Sequence, residues 1–348
     1  MNYLHLFYYA GDYYSHIYRQ YRFVKTYLQP MVRGFCDVLK YQLNSLEERK
    51  VYRYYPLLTV CALAENYTLL KGRGLSAIER KRITLMSAMA TLCDDLIDEG
   101  GWTEQQLLDL LDSRHPYGQL PVKAKLIIAM NEEFKKLDIN PAYWVQLRKA
   151  FHGQAESIRQ HDSGLSLDET IHIAREKNGN YCLAVAALID ENWSQLEHDI
   201  IYQHGMMGQM TNDIYDTYKD THEGIHTMVK KVWNVRHLRD IFMSEVERIQ
   251  TLILQLDVSI AGKKRIIRRY ACMDAFTMVG IDTLDEVEHL YGQPVDWKSV
   301  PRRQLVPDMA KYKSRKRYFK YVVWLSNLPF RAKRKTERGK KTKLQQHK

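Results

Sequence analysis

An all-α fold, a large helical bundle in one domain, is what this 348-residue sequence predicts. Three observations carry that expectation. Apolar residues recur at three- and four-residue steps through nearly every long stretch. Helix-start signals precede many of those stretches. No segment alternates with period two, and no Gly-rich strand-to-helix turn appears, which removes dinucleotide-fold and P-loop readings.

The elements follow in order. Residues 76–99 open with Ser76 and Glu79 at capping-box spacing and stop at Gly100-Gly101. Thr103 and Gln106 repeat the spacing before QLLDLLD. Pro121 and Pro141 each fit a first helical turn. Asp168 begins ETIHIAREKNGNYCLAVAALID, and Ser194 with Glu197 opens the run through Tyr218. VRHLRDIFMSEVERIQTLILQL closes the series of clear amphipathic patterns. Roughly ten helices with short polar connections imply a bundle around a central cavity.

The formal charge of +11 needs to be located before it is used. Residues 311–348 hold 15 of the 52 Lys/Arg and one of the 41 acids, leaving 37 basic against 40 acidic residues, a net of −3. The basicity belongs to a tail. The division expected is therefore a helical domain over 1–310 and a basic amphipathic tail over 311–348, membrane-associating or disordered. Five widely spaced cysteines without a CxxC pair argue against a disulfide framework or a zinc site and fit a reducing cytoplasm. The first twenty residues lack a basic segment followed by an apolar run, so no signal peptide is expected, and no 18-residue apolar stretch occurs. The 24 tyrosines against 9 phenylalanines suggest half-buried positions or an aromatic-walled cavity.

Two acidic clusters stand out. Asp94, Asp95 and Asp98 lie in LCDDLIDEGG at a helix end. A solvated helix end is the plain alternative. However, carboxylates in a last turn face the negative pole of the helix, which costs about 0.3–1 kcal/mol each. The apolar neighbours Leu92, Cys93, Leu96 and Ile97 imply burial, and buried anions need a counter-charge. A hard divalent cation supplies it. The second cluster is QMTNDIYDTYKDTHEG, where Asn212, Asp216 and Asp220 are spaced i, i+4, i+8, with Asp213 beside them. Mg²⁺ suits such a stripe, because it uses few carboxylates and keeps waters or phosphate oxygens.

The pair of motifs resembles the class I isoprenoid synthase superfamily. Asp94-Asp95-Leu96-Ile97-Asp98 matches that group's DDxxD. Gln209 to Asp220 is similar to its second metal motif in two registers, a terpene-cyclase reading (Asn212, Asp216, Asp220) and a head-to-head squalene/phytoene-synthase reading (Q-x-T-N followed by Asp216 and Asp220). The resemblance implies the isoprenoid-synthase fold. It also implies three Mg²⁺ ions, with Mn²⁺ as an alternative, and ionisation of a prenyl diphosphate with release of diphosphate. Asp94, Asp95, Asp98, Asn212, Asp216 and Asp220 would be the metal and catalytic positions, with Asp213 a further metal position. Arg175, Lys177, Lys219, Arg269 and Tyr270 would bind the diphosphate, with Lys230 a weaker candidate. The cation left behind would sit in an aromatic, water-poor pocket.

Chain-elongating relatives carry a GGKRxRP-like segment and an Arg pair after the first motif. Here Lys71-Gly72-Arg73-Gly74 is a faint echo, and EGGWTEQQ follows the motif. Cyclisation or rearrangement is therefore the first expectation, with head-to-head condensation or chain elongation as the alternatives. The tail segment YFKYVVWLSNLPF lies between basic clusters and reads as a peripheral contact with the inner face of a membrane. Nucleic acid is not an expected partner, and a homodimer is left open. A non-catalytic helical module binding lipid or nucleic acid is the rival from another class.

Overall fold

Capping decides where the long helices start. In the computed structural model, Ser76 N–H donates to Glu79 Oε2 at 2.7 Å and Glu79 N–H to Ser76 Oγ at 3.3 Å, closing the box that the sequence announces. Thr103 with Gln106 and Ser194 with Glu197 close the same motif. The structure describes residues 14–98, 100–112, 114 and 120–345, without side chains at Asp98 and 331–345. No strand occurs among the described residues, so the all-α expectation holds.

The chain folds into two compact units, and no linker composition marks them because they interleave. Unit 1 takes Met1–Ser157 and Glu176–Trp193; unit 2 takes Ile158–Arg175 and Ser194–Lys348. The boundary expected at residue 310 is not one of these divisions.

In unit 1, α1 covers residues 14–39 with a π-helical turn at Val24–Leu28. Helix α2 covers 45–70 with π turns at Lys50–Tyr54 and Thr59–Ala64. Then come α3 (Ala77–Asp98), α4 (Glu104–Leu111), α5 (Val122–Lys135) and α6 (Pro141–Glu156). Val51, Val60, Leu85, Leu92, Ile127 and Phe134 are fully buried among them. The core also holds a charged junction: Arg80 of α3 donates to Glu65 of α2 at 2.6 Å and to Gln20 of α1 at 2.8 Å. Each member is bonded, as burial of such groups demands.

Helix α7 (Leu167–Ala174) belongs to unit 2, and α8 (Asn180–Ala186) returns to unit 1. The start of α7 corrects the sequence reading: its N-cap is Ser166, in a capping box with Glu169, two residues before Asp168. Pro121 is likewise the N-cap of α5 rather than its first turn, whereas Pro141 opens α6 as expected. Between α7 and α8 lies a π turn, Arg175–Gly179.

Unit 2 continues with α9 (Gln195–Tyr215), α10 (Thr217–His222), α11 (Met228–Lys231), α12 (Val235–Gln255), α13 (Ile260–Tyr291), α14 (Arg302–Leu305) and α15 (Tyr312–Gln345). Helices α9 and α13 run parallel: His204 packs on Tyr270 with ring centroids 4.3 Å apart, and the Thr211 and Thr277 hydroxyls meet at 2.6 Å.

The first part of the tail is helical. Residues 312–330 join unit 2 as the first part of α15. Val322 and Leu325 are buried, Gln250 donates to the Leu325 carbonyl at 3.0 Å, and the Tyr321 hydroxyl donates to Asp282 at 2.8 Å. Val322 and Leu325 thus pack within the unit, while Phe319 is 40% exposed and Trp324 and Phe330 are half-buried. Side chains of 331–348 lie outside the description. Among the described residues, no helix is long and apolar enough to cross a membrane.

Candidate functional site

The second acidic cluster is built where α9 breaks. Asp216 leaves helical geometry at φ −95° and ψ 6°, and α10 resumes at Thr217. The hydrogen-bond ladder survives the break. Asp216 N–H donates to the Asn212 carbonyl at 2.8 Å, and Asp220 N–H to the Asp216 carbonyl at 2.8 Å. The i, i+4, i+8 register expected of Asn212, Asp216 and Asp220 therefore persists across a bend. Thr217 Oγ1 donates to the Asp213 and Ile214 carbonyls at 3.0 and 2.9 Å, a side-chain competition with the ladder that bends helices.

The electrostatics of this cluster are those of anions gathered without enough counter-charge. Asp220, 8% exposed, is pushed up to about 8, first by burial and then by Asp213 and Asp216; Lys219 opposes. Asp216 is raised by burial too, against the pull of Lys219 and the Asn212 side chain. Gln209 Nε2 donates to Asp213 Oδ1 at 2.8 Å, one turn along. Mutual repulsion of buried carboxylates is a mark of functional sites, and hard oxygen donors of this kind suit Mg²⁺. Among the described residues, however, no three His, Cys, Asp or Glu side chains converge on one point. The residues suit a cation by charge and donor type.

Basic groups surround the cluster unevenly. Lys219 is exposed, with Nζ 3.8 Å from Glu223. Lys230, half-buried, donates to the Ile225 carbonyl at 3.0 Å; burial and Lys298 lower its pKa, while Asp220 opposes them. Arg302 of α14, 86 residues further along the chain and in no recognised motif, acts on Asp216 as well. A cavity of about 350 Å³ opens beside Thr221 and Lys230, with His226, Trp233 and Trp297 in its wall.

The first cluster is neutralised within unit 1. Asp95, 5% exposed, accepts from Lys50 Nζ at 2.6 Å and from Lys123 Nζ at 3.5 Å. Lys123 also pairs with Glu47 at 2.9 Å. The counter-charge that a buried Asp95 requires thus comes from two lysines, 45 and 28 residues away in sequence. Asp94 is half-buried, and its charge adds to burial in raising the Tyr55 and Tyr181 hydroxyls. The Asp98 side chain lies outside the described residues.

The other candidates have their own places. Arg175 opens the π turn and is paired with Glu245 of α12 at 2.6 Å. Lys177, half-exposed, sits in the same turn, where its backbone lies against Gly153: a β-carbon there would stand 2.6 Å from Lys177 N. Arg269 and Tyr270 are 5% and 2% exposed inside unit 2. Tyr270 sits level with His204, eight residues before Asn212 on α9, about 12 Å along the helix. That places the pair away from the aspartates rather than beside them. Lys71 donates to the Asn192 carbonyl at 2.8 Å, and Arg73 to Glu79 at 2.7 and 2.9 Å, at the start of α3. One residue went unnoticed: Asp274, buried mid-α13 and pushed up to about 8 by burial. Its signal was an acid in the apolar run ACMDAFTMVG.

Fold and site together define an all-α chain whose second unit gathers repelling carboxylates at a helix bend. No family model matches the chain, and no curated protein does. Among solved structures it is similar to a dehydrosqualene synthase crystallised with a ligand. The identity is 15% and the TM-score 0.41, over 81% of this chain and 99% of that one.

Proposed function

We propose that this chain is an enzyme that ionises a prenyl diphosphate and releases diphosphate in a Mg²⁺-dependent reaction. The observation that carries the reading is the Asp213, Asp216 and Asp220 cluster, in which burial and mutual repulsion raise Asp220 to about 8. Such a cluster is stabilised by a divalent cation more than by any arrangement of its own side chains. Mg²⁺ held by Asp216 and Asp220, with Asn212 and Asp213 beside them, would supply Lewis-acid charge to a departing diphosphate. The motif Asp94-Asp95-x-x-Asp98 supports the same reading through its resemblance to DDxxD.

The chain's own groups would do the rest. Lys219, Lys230 and Arg302 balance charge around Asp216 and Asp220 and would donate to phosphate oxygens. Gln209 orients Asp213 through its amide. Cyclisation and head-to-head condensation share the ionisation step. The Q-x-T-N run, in which Gln209 and Asn212 both bond to carboxylates of the motif, favours considering condensation alongside cyclisation.

Incubation with geranyl, farnesyl and geranylgeranyl diphosphates plus Mg²⁺, with products identified by mass spectrometry, tests the proposal. A hydrocarbon or alcohol with the carbon count of its substrate indicates cyclisation or rearrangement. Doubling of the carbon count indicates condensation. Recovery of every substrate intact after prolonged incubation rules the enzyme reading out in favour of a binding module.

A further inference from the structure

Unit 1 holds a second charged surface that the aspartate motifs do not use. A groove of about 300 Å³ lies between α1 and α2. Its walls meet at two π-helical turns, Val24–Leu28 on one side and Lys50–Tyr54 on the other. Val24 and Lys25 line it from the first turn, and Tyr52 and Arg53 from the second. A single π turn is a costly departure from the α-helix that recurs at functional positions. Two of them facing one groove are harder to attribute to packing alone.

The charges in the groove are unbalanced. Lys25, Arg49 and Arg53 are exposed at its edge, with Glu48 as the acid among its lining residues. Arg49 and Arg53 stand one turn apart on α2, a like-charge spacing that costs a few tenths of a kcal/mol, about 0.2–0.5. Among the described residues neither guanidinium forms an ion pair. From the opposite wall, the Lys25 ammonium sits 4.8 Å from the centroid of the Tyr21 ring. Lys25 and, more weakly, Arg53 lower the Tyr21 hydroxyl, so cations from both walls act at one point. The buried side chains of Val24 and Tyr52 give the groove a largely apolar floor.

We propose that this groove binds a phosphate-bearing ligand, its charged head taken by Arg49, Arg53 and Lys25 and its ester portion resting toward Val24 and Tyr52. Guanidinium forks match phosphate oxygens in pairs, and a facing ammonium adds a third donor group. A soluble phosphate ester and a phospholipid headgroup present the same chemistry.

Both sources are tested on the full chain in EDTA, which removes any contribution of cation-borne diphosphate at Asp216. One arm titrates inorganic diphosphate by calorimetry. The other sediments the protein with phosphatidic acid vesicles against phosphatidylcholine vesicles. Each uses wild type, the double variant Arg49→Gln/Arg53→Gln, and Glu48→Gln. These side chains are exposed, and circular dichroism checks that the variants fold. Saturable binding in either arm that falls at least tenfold in the double variant and tightens in Glu48→Gln supports the proposal. The arm that responds names the source. Equal behaviour of wild type and double variant in both arms overturns it, whatever the outcome at the aspartates.

Discussion

Gly280 of α13 faces Ile214 of α9 so closely that a β-carbon at Gly280 would lie 2.5 Å from Ile214 Cγ2 and 3.2 Å from the Tyr215 ring. Ile214 sits between Asp213 and the bend at Asp216, and the Tyr215 hydroxyl donates to the Phe276 carbonyl at 3.1 Å. The end of α9, and with it the carboxylate cluster, is held in place by the absence of a side chain on its neighbour.

Gly280→Ala should therefore damage the site through its scaffold. Overpacking of this kind costs about 1–3 kcal/mol, read as a lower unfolding midpoint in urea. Gly262→Ala, near the start of the same helix, meets nothing closer than 3.4 Å and should be neutral or stabilising. Equal stability of the two variants would mean that the α9–α13 contact does not constrain the bend.

The pH dependence of stability has a definite sign. Asp220 and Asp274 have folded-state pKa values of about 8, raised above the ordinary carboxylate range. The native state then binds more protons than the unfolded one between about pH 4 and 8, so these groups make the cation-free protein lose stability as pH rises through that window. In EDTA at pH 8, Asp220→Asn should melt a few degrees above wild type, the shift that about 1–2 kcal/mol gives in a large domain, and at pH 4 the two should converge. Mg²⁺ should close the pH 8 gap by stabilising wild type alone. Thermal unfolding at both pH values, with and without Mg²⁺, reads all three effects.

Asp95 gives a prediction for the first motif. Its partners Lys50 and Lys123 make it the centre of a buried ion cluster. Lys50→Met strands that charge, whereas Lys50→Met/Asp95→Asn removes the charge together with its partner. The double variant should be more stable than the sum of the singles by about 0.5–3 kcal/mol in a urea double-mutant cycle. Additive single effects would leave Asp95 available to a cation instead.

Much of the fold was legible because capping and periodicity are local. Ser76 with Glu79, Thr103 with Gln106 and Ser194 with Glu197 need only three residues of sequence to declare a helix start. The i, i+4, i+8 stripe of Asn212, Asp216 and Asp220 was legible for the same reason. What escaped depends on partners distant in sequence. Lys123 reaches Asp95 from 28 residues away, and Gly153 lets the Arg175–Gly179 turn approach, which no local pattern encodes. The tail's contacts escaped for the same reason: Gln250 reaches the Leu325 carbonyl across 75 residues of sequence, and Tyr321 reaches Asp282 across 39. The two interleaved units left no Gly- or Pro-rich linker to read.

Ionisation of a prenyl diphosphate through a divalent cation held by Asp216 and Asp220 is the proposed reaction. Its most direct test is diphosphate release from farnesyl and geranylgeranyl diphosphates by wild type, Asp216→Ala and Asp220→Ala, across a Mg²⁺ titration. Release that requires Mg²⁺ in wild type and falls at least a hundredfold in both variants, with all three proteins folded, is the predicted result. Release that persists unchanged in EDTA, or in both variants, would contradict it.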